Sequence, residues 1–218
     1  MEPMSSRPAS TIDQVVDRLR ARVIAGDLLP GAKLSQERVQ ESMGVSRSTL
    51  REALQVLIRE RLMVHELGRG VFVRQLTRAD IVDLYRVRRI VECAAVQRIE
   101  VIKPERLRAL TAAISDGQKA ADADDWRRVG AASIRFHEAL VTLAESERLN
   151  SLITGVLAEF RLAYALMSDT NKFHAAFLKR HRGIVDAIAA GDLSGAAAQL
   201  DDYLADAEEA VLAAYDPR

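Results

Sequence analysis

Apolar residues in the first quarter of the chain recur at helical spacing, punctuated by glycine. Ile12, Val15, Val16, Leu19 and Val23 fall on one helical face. Thr11-Ile-Asp-Gln14 has the form of a capping box at the start, and Gly26 ends the helix before a Leu29-Pro30-Gly31 turn. Ser35 caps a second, short helix that carries Val39 and Met43 and stops at Gly44. Ser46 caps a third, with Leu50, Leu54, Leu57 and Ile58 on one side. The segment from Leu62 to Val73 then reads as two short strands turning at Gly68–Gly70. Helix, helix, turn, helix and β-hairpin is the outline of a winged helix-turn-helix.

The helical period resumes after the hairpin and runs to the end. Six helices are predicted, over about 78–101, 104–122, 124–145, 149–168, 173–190 and 192–214. Pro104, Asp124, Asn150, Asn171 and Gly191-Asp192 mark the breaks. The fold class that follows is mainly α: a winged helix-turn-helix of three helices plus a hairpin, then an all-α bundle of about six helices. A tail over 1–10, a first domain over 11–75 and a second over 78–214 are expected, joined near Gln75–Arg78.

Composition supports the division. Of the 34 alanines, 29 follow residue 75, and no proline occurs between Pro104 and Pro217, as a helical second half requires. The 218 residues hold 31 Lys+Arg and 31 Asp+Glu, so the whole chain looks too neutral for an electrostatic binder of nucleic acid or membrane. The sum conceals a partition. Residues 1–75 carry 12 Lys+Arg against 9 Asp+Glu, and the remainder 19 against 22. Cys93 stands alone, which excludes an internal disulfide and a thiolate cluster and suits a reducing cytoplasm. No apolar run approaches a membrane span, and Met1–Ser10 lacks the apolar core of a signal peptide. A cytoplasmic protein without membrane contact is the expectation.

The most informative stretch is Gly44-Val-Ser-Arg-Ser-Thr-Leu-Arg-Glu-Ala-Leu54. Gly44 permits a tight turn, Val45 and Leu50 anchor two helices, and Ser46 leaves Arg47, Ser48, Thr49 and Arg51 on the first exposed turns. A recognition helix meets base edges with such N-terminal residues. Arginine pairs bidentately with guanine, and hydroxyls reach bases or phosphates. The alternative is a capped surface helix whose arginines are solvated.

These residues resemble the GntR family of bacterial transcription regulators. Gly26-Asp-Leu-Leu-Pro-Gly31, Leu34-Ser35, Gly44-Val-Ser-Arg47, Leu50-Arg-Glu-Ala-Leu54, Glu60-Arg-Leu62 and Arg69-Gly70 carry the match. The resemblance implies a dimer bound to a short palindromic operator in double-stranded DNA. It also implies that Arg47, Thr49 and Arg51 touch DNA while the Gly68–Gly70 wing approaches the minor groove. One position departs. Glu37 stands where the family often has an arginine, so either Arg38 substitutes from one residue along or the operator preference differs. His65 and Arg69 flank the wing turn, where they either meet phosphate or are solvated.

In the first long helix, Ile81, Tyr85, Arg88 and Glu92 share a stripe beside the apolar Leu84, Val87, Val91 and Ala95. Arg88 so placed either faces an internal cavity and binds a carboxylate, or forms a surface pair with Glu92, which the spacing alone favours. His137 lies between Ile134 and Val141, and His181 between Phe177 and Ile184, each on an apolar face. Lone histidines there are usually core residues, yet two on separate helices suggest a shared polar site. His174, two turns before His181, is not expected to share an ion with it.

Asp83-Leu-Tyr-Arg-Val-Arg-Arg89 with Glu92, Phe136-His137, His181 with Ile184 and Ile188, and Ala190-Gly-Asp192 extend the resemblance to the FadR-type branch, whose C-terminal FCD domain surrounds an effector cavity. The resemblance implies a metal held by an Asp four residues before the first His and a third His in the last helix. Ser133 and Tyr203 occupy those positions here. His137 and His181 are then an incomplete site for zinc or nickel, with metal bound weakly or not at all, and the effector set is Arg88, Ser133, His137, His181 and Tyr203. The reading is a ligand-responsive regulator, a repressor released from its operator by a small organic acid. A constitutive regulator with a vestigial cavity is the alternative. A metal-dependent enzyme using His137 and His181 is a remoter one, since no HExxH, phosphate loop or nucleophile elbow appears.

Overall fold

A computed structural model describes residues 10–164, 167 and 170–215. The expected tail before residue 10 lies outside these, as does the side chain of Phe177. Two units are evident, Met1–Gln75 and Leu76–Arg218.

The first unit contains α1 (Thr11–Ala25), α2 (Gln36–Met43), α3 (Arg47–Arg59), β1 (Met63–Glu66) and β2 (Gly70–Val73). The cap of α1 falls one residue earlier than the sequence suggests. Ser10, not Thr11, accepts from the Asp13 amide, and Asp13 reaches back to the Ser10 amide. Asp13 decides the matter, because a capping box needs its acid three residues beyond the cap. Ser35 and Ser46 cap α2 and α3 as expected. Gly26 and Gly44 close α1 and α2 with φ of 80° and 64°, a left-handed backbone that costs glycine nothing. Val15, Val16, Leu19 and Val23 of α1 pack with Val39, Leu50, Leu54 and Leu57 in a buried core, and Arg20 of α1 binds Glu60 at 2.7 and 2.9 Å.

The hairpin is antiparallel, with Met63 opposite Val73 and Glu66 opposite Gly70. Met63, Val71 and Val73 turn inward, while Val64 and His65 face outward. Lys33 bridges to Phe72 and adds a third backbone segment at the base of the wing.

The second unit is helical: α4 (Arg78–Gln97), α5 (Pro104–Asp122), α6 (Trp126–Thr142), α7 (Glu147–Tyr164), α8 (Thr170–Ala189) and α9 (Leu193–Ala214). Thr77 with Asp80 forms a capping box, Pro104 occupies the first turn of α5, and Asp125 and Asp192 cap α6 and α9. Three expected breaks move. Asp124 is a left-handed residue (φ 56°) ahead of the Asp125 cap, and Asn150 and Asn171 lie inside helices. Ser146 starts α7, accepting the Leu149 amide through its hydroxyl and the Asn150 amide through its carbonyl. The first long helix also ends at Gln97, four residues short of expectation, and Ile99 tucks into the core beyond it.

Helix α4 packs along α9, and α5 along α6. Arg89 clamps Asp201 through two 2.7 Å bonds, and the Tyr215 hydroxyl donates to the Leu76 carbonyl at 2.7 Å, tying both ends of the unit. Ala95, Ile134, Val141, Ile153 and Leu157 form one apolar cluster. Polar side chains are buried beside it.

Candidate functional site

Helix α3 exposes its first two turns. Ser46 Oγ accepts the Thr49 amide at 3.1 Å and lies 2.8 Å from Ser48 Oγ and 2.9 Å from Thr49 Oγ1. The three hydroxyls pin the helix start while Leu50, Ala53, Leu54 and Leu57 hold the opposite side in the core. Arg47 and Arg51 point to solvent, and neither has an ion pair or hydrogen bond among the described residues. They line a groove between α2 and α3 together with Gln36, Glu37, Gln40 and Ser48. The structure thus brings Arg47, Ser48 and Arg51 together, with Thr49 half-buried beside them. Arg38 is exposed but is not part of this groove; Glu37 is. Sequence reasoning passed over Gln36 and Gln40, whose spacing on α2 was available to find them.

At the wing, Gly68 and Gly70 have φ of 72° and 111° and turn the hairpin tightly. His65 is exposed on β1. Arg69 pairs with Glu66 and lies over the Phe72 ring at 5.2 Å, while Lys33 approaches the same ring at 6.0 Å. Lys33 was not anticipated, because only the hairpin's third backbone segment carries it to the wing.

The second cluster lies inside the helical unit. Arg88 and Glu92 are buried, at 2% and 0% exposure, so the surface pair favoured by spacing alone is overturned. Arg88 Nε donates to Glu92 Oε1 at 2.7 Å, and its guanidinium lies 5.3 Å from the Tyr85 ring and 5.1 Å from that of Phe160. The other carboxylate oxygen meets His137 Nδ1 at 2.6 Å. His137 Nε2 stands 3.4 Å from the Tyr203 hydroxyl, which is also hydrogen-bonded to Ser133. His181 stacks on Phe136 at 4.1 Å and meets His137 edge to face. Arg88, Ser133, His137, His181 and Tyr203 are therefore neighbours, drawn from α4, α6, α8 and α9.

Charge in this cluster is balanced by position. Burial pushes the Glu92 carboxyl up, but Arg88 and His137 together outweigh it and hold it below the ordinary value. Burial pulls the Arg88 guanidinium down, and Glu92 more than restores it. His137 is lowered by burial against the pull of Glu92, and burial with His137 beside it drives His181 well below its usual value. Both imidazoles are thus neutral beside one ion pair. The His137 ring carries its proton on Nδ1, toward Glu92, and presents a lone pair on Nε2.

Three buried polar atoms of the cluster have no partner among the described residues: Tyr85 Oη, Arg88 Nη2 and His181 Nε2. Buried polar groups are almost always paired, so free valences on three residues of one buried cluster point to a ligand. Sequence reasoning missed Glu92 as a member, although its i,i+4 spacing to Arg88 was visible, and missed Tyr85, Phe136 and Phe160. His174 is buried against Tyr164 and Phe173.

The donor set does not fit a metal ion. Only two imidazoles face each other, Glu92 is committed through both oxygens, and Ser133 and Tyr203 are neutral hydroxyls. Among the described residues no group of three or more His, Cys, Asp or Glu is disposed to hold one.

Sequence profiles match both units. The profile of the bacterial regulatory proteins of the gntR family covers residues 11–73, and that of the FCD domain covers 83–206. The chain belongs to the GntR family of transcription regulators, with an FCD domain. A GntR-type regulator structure from Rhodococcus sp. RHA1 is 41% identical, covering 94% of this chain and 99% of that one, with a TM-score of 0.88. The gluconate operon transcriptional repressor of Bacillus subtilis is 31% identical over 137 residues, 61% of this chain and 55% of that protein. E. coli McbR/YncC, 20% identical over 94% of this chain and 97% of its own, shares the fold with a TM-score of 0.80. In a GntR regulator the first unit is the DNA-binding domain and the FCD domain is the effector-responsive part. No described helix is long and apolar enough to cross a membrane.

Proposed function

We propose that the chain is a cytoplasmic repressor that binds a short palindromic operator as a homodimer and is released by a small organic acid. The observation that carries the DNA half is the pair Arg47 and Arg51, exposed and without partners among the described residues on the first turns of a helix capped by Ser46. Both are available for bidentate contact with guanine, Ser48 and Thr49 for phosphate or base, and His65, Arg69 and Gly70 for the groove beside the wing. Arg38 stands outside the α2–α3 groove and serves as a phosphate contact in this reading, leaving base readout to α3.

The effector half rests on the free valences of Arg88, Tyr85 and His181. A carboxylate accepts from Arg88 Nη2 and the Tyr85 hydroxyl, and a second polar group meets His181 Nε2. His137, Tyr203 and Ser133 fix the walls. Differential affinity for two arrangements of the bundle then couples this site to DNA.

Footprinting and sedimentation test the reading together. Two protected half-sites about one helical turn apart, bound by two chains, are expected. A panel of small carboxylates is expected to contain one that raises the unfolding temperature and weakens operator binding in the wild type but not in Arg88→Met. A single asymmetric footprint bound by one chain would refute the dimeric repressor.

A further inference from the structure

The cluster around His137 has the surroundings of a metal centre with different chemistry at its middle. Metal-ligating histidines hand their second ring proton to a carboxylate or carbonyl, which fixes the tautomer and aims the other nitrogen. Glu92 does this for His137 at 2.6 Å. The lone pair so aimed meets the Tyr203 hydroxyl at 3.4 Å. Ser133, one turn before His137 on α6, holds that same hydroxyl. Tyr203 thus donates to His137 and His137 to Glu92, which meets Arg88 from the other side, while Ser133 shares a hydrogen bond with the Tyr203 hydroxyl.

Zinc and nickel sites need three or four ligands, drawn from imidazole, carboxylate and thiolate. His137 and His181 supply two. Arg88, 2% exposed and beside Glu92, already supplies a fixed positive charge to the cluster.

We infer that in this chain the Tyr203–Ser133 hydroxyl pair stands where a metal ion would be held, so that the site takes an organic anion directly on Arg88, Tyr85 and His181 with no bridging cation. The inference rests on reading the cluster as the effector site, and the two fail in different experiments.

The test uses the untagged full chain, equilibrated with zinc chloride or nickel chloride, desalted, and analysed for metal by mass spectrometry. The wild type is expected to hold well under one ion per chain and to show no change of unfolding temperature with zinc. Ser133→Asp combined with Tyr203→His is expected to gain roughly one zinc per chain, with an unfolding temperature that rises with zinc and falls back with chelator. Stoichiometric metal in the wild type, lost in His137→Ala or His181→Ala, would overturn the inference. A folded double variant that takes up no zinc would overturn it too, since those two residues would not then be what separates the site from a metal centre. If the double variant does not fold, the wild-type stoichiometry decides alone. Metal in the wild type would leave the effector reading standing, whereas an Arg88→Met chain that still responds fully to the acid would sink that reading and not this one.

Discussion

Arginine works in two opposite settings in this chain. Arg47 and Arg51 sit on α3 in water, without partners among the described residues, above a core of Val, Leu, Ala and Met side chains. Arg88 sits on α4 out of water, gripped by Glu92 and flanked by Tyr85 and Phe160. The first setting costs folding nothing and leaves every donor for a partner. The second takes a cation out of water and holds it with an anion, with Nη2 buried and without a partner among the described residues. A surface that reads a polyanion keeps its charges loose, while an interior that recognises a small anion fixes them first.

Substitution at each place should separate the two roles. Arg88→Met leaves Glu92 buried beside neutral His137, a loss of about 3–5 kcal/mol of stability for a broken buried pair. Denaturant unfolding of the variant measures it. A loss below about 1 kcal/mol would mean that the pair is not fixed in the interior.

Acid should act on the helical unit through its buried histidines. Burial lowers His174 from 6.5 to about 4. A histidine depressed in the folded state contributes fully above its unfolded value, and its contribution is lost as pH falls from about 6.5 towards 4. That gap corresponds to about 3 kcal/mol. Glu92, held below its ordinary value mainly by Arg88 against burial, adds to the loss at still lower pH. Unfolding midpoints of the helical unit measured from about pH 7 to pH 4.5 should fall, and His174→Phe should make the fall shallower, with buried His137 and His181 carrying the remainder. A flat wild-type curve would contradict the burial of neutral His174.

The α3 arginines should show the reverse pattern. Arg47→Ala and Arg51→Ala are each expected to cost ~1–3 kcal/mol of operator affinity by fluorescence anisotropy, with stability unchanged within about 0.5 kcal/mol. The smallest effect belongs to Ser46→Ala, which removes the cap of α3 and should lower stability by about 1 kcal/mol, seen as a small shift in the denaturation midpoint.

Much of the first unit was legible because its signals are local. Ser35, Ser46, Gly26 and Gly44 carry the helix ends, and the glycines at 68 and 70 carry the wing. The one slip, Thr11 for Ser10, came from two adjacent residues able to cap, with the acid at Asp13 deciding between them. In the helical unit the six helices were readable, and the five effector candidates prove to be neighbours, but the burial of the Arg88–Glu92 pair was not readable. An Arg–Glu pair at i,i+4 looks the same on a surface as in a core. What buries Arg88 is Phe160 on α7, and what completes Glu92 is His137 on α6, both distant in sequence. Asn150 and Asn171 misled for a related reason, since asparagine is tolerated inside a helix whose start is secured elsewhere, as Ser146 secures α7.

The central claim is that α3 selects DNA while the buried cluster of α4, α6, α8 and α9 does not touch it. In vitro selection from random duplex DNA tests this most directly, run in parallel with the wild type, the Arg47→Ala/Arg51→Ala double variant and Tyr85→Phe. The account predicts one enriched palindrome for the wild type and the same palindrome for Tyr85→Phe, with no enrichment for the folded double variant. Recovery of that palindrome by the double variant, or of no common sequence by the wild type, would contradict it.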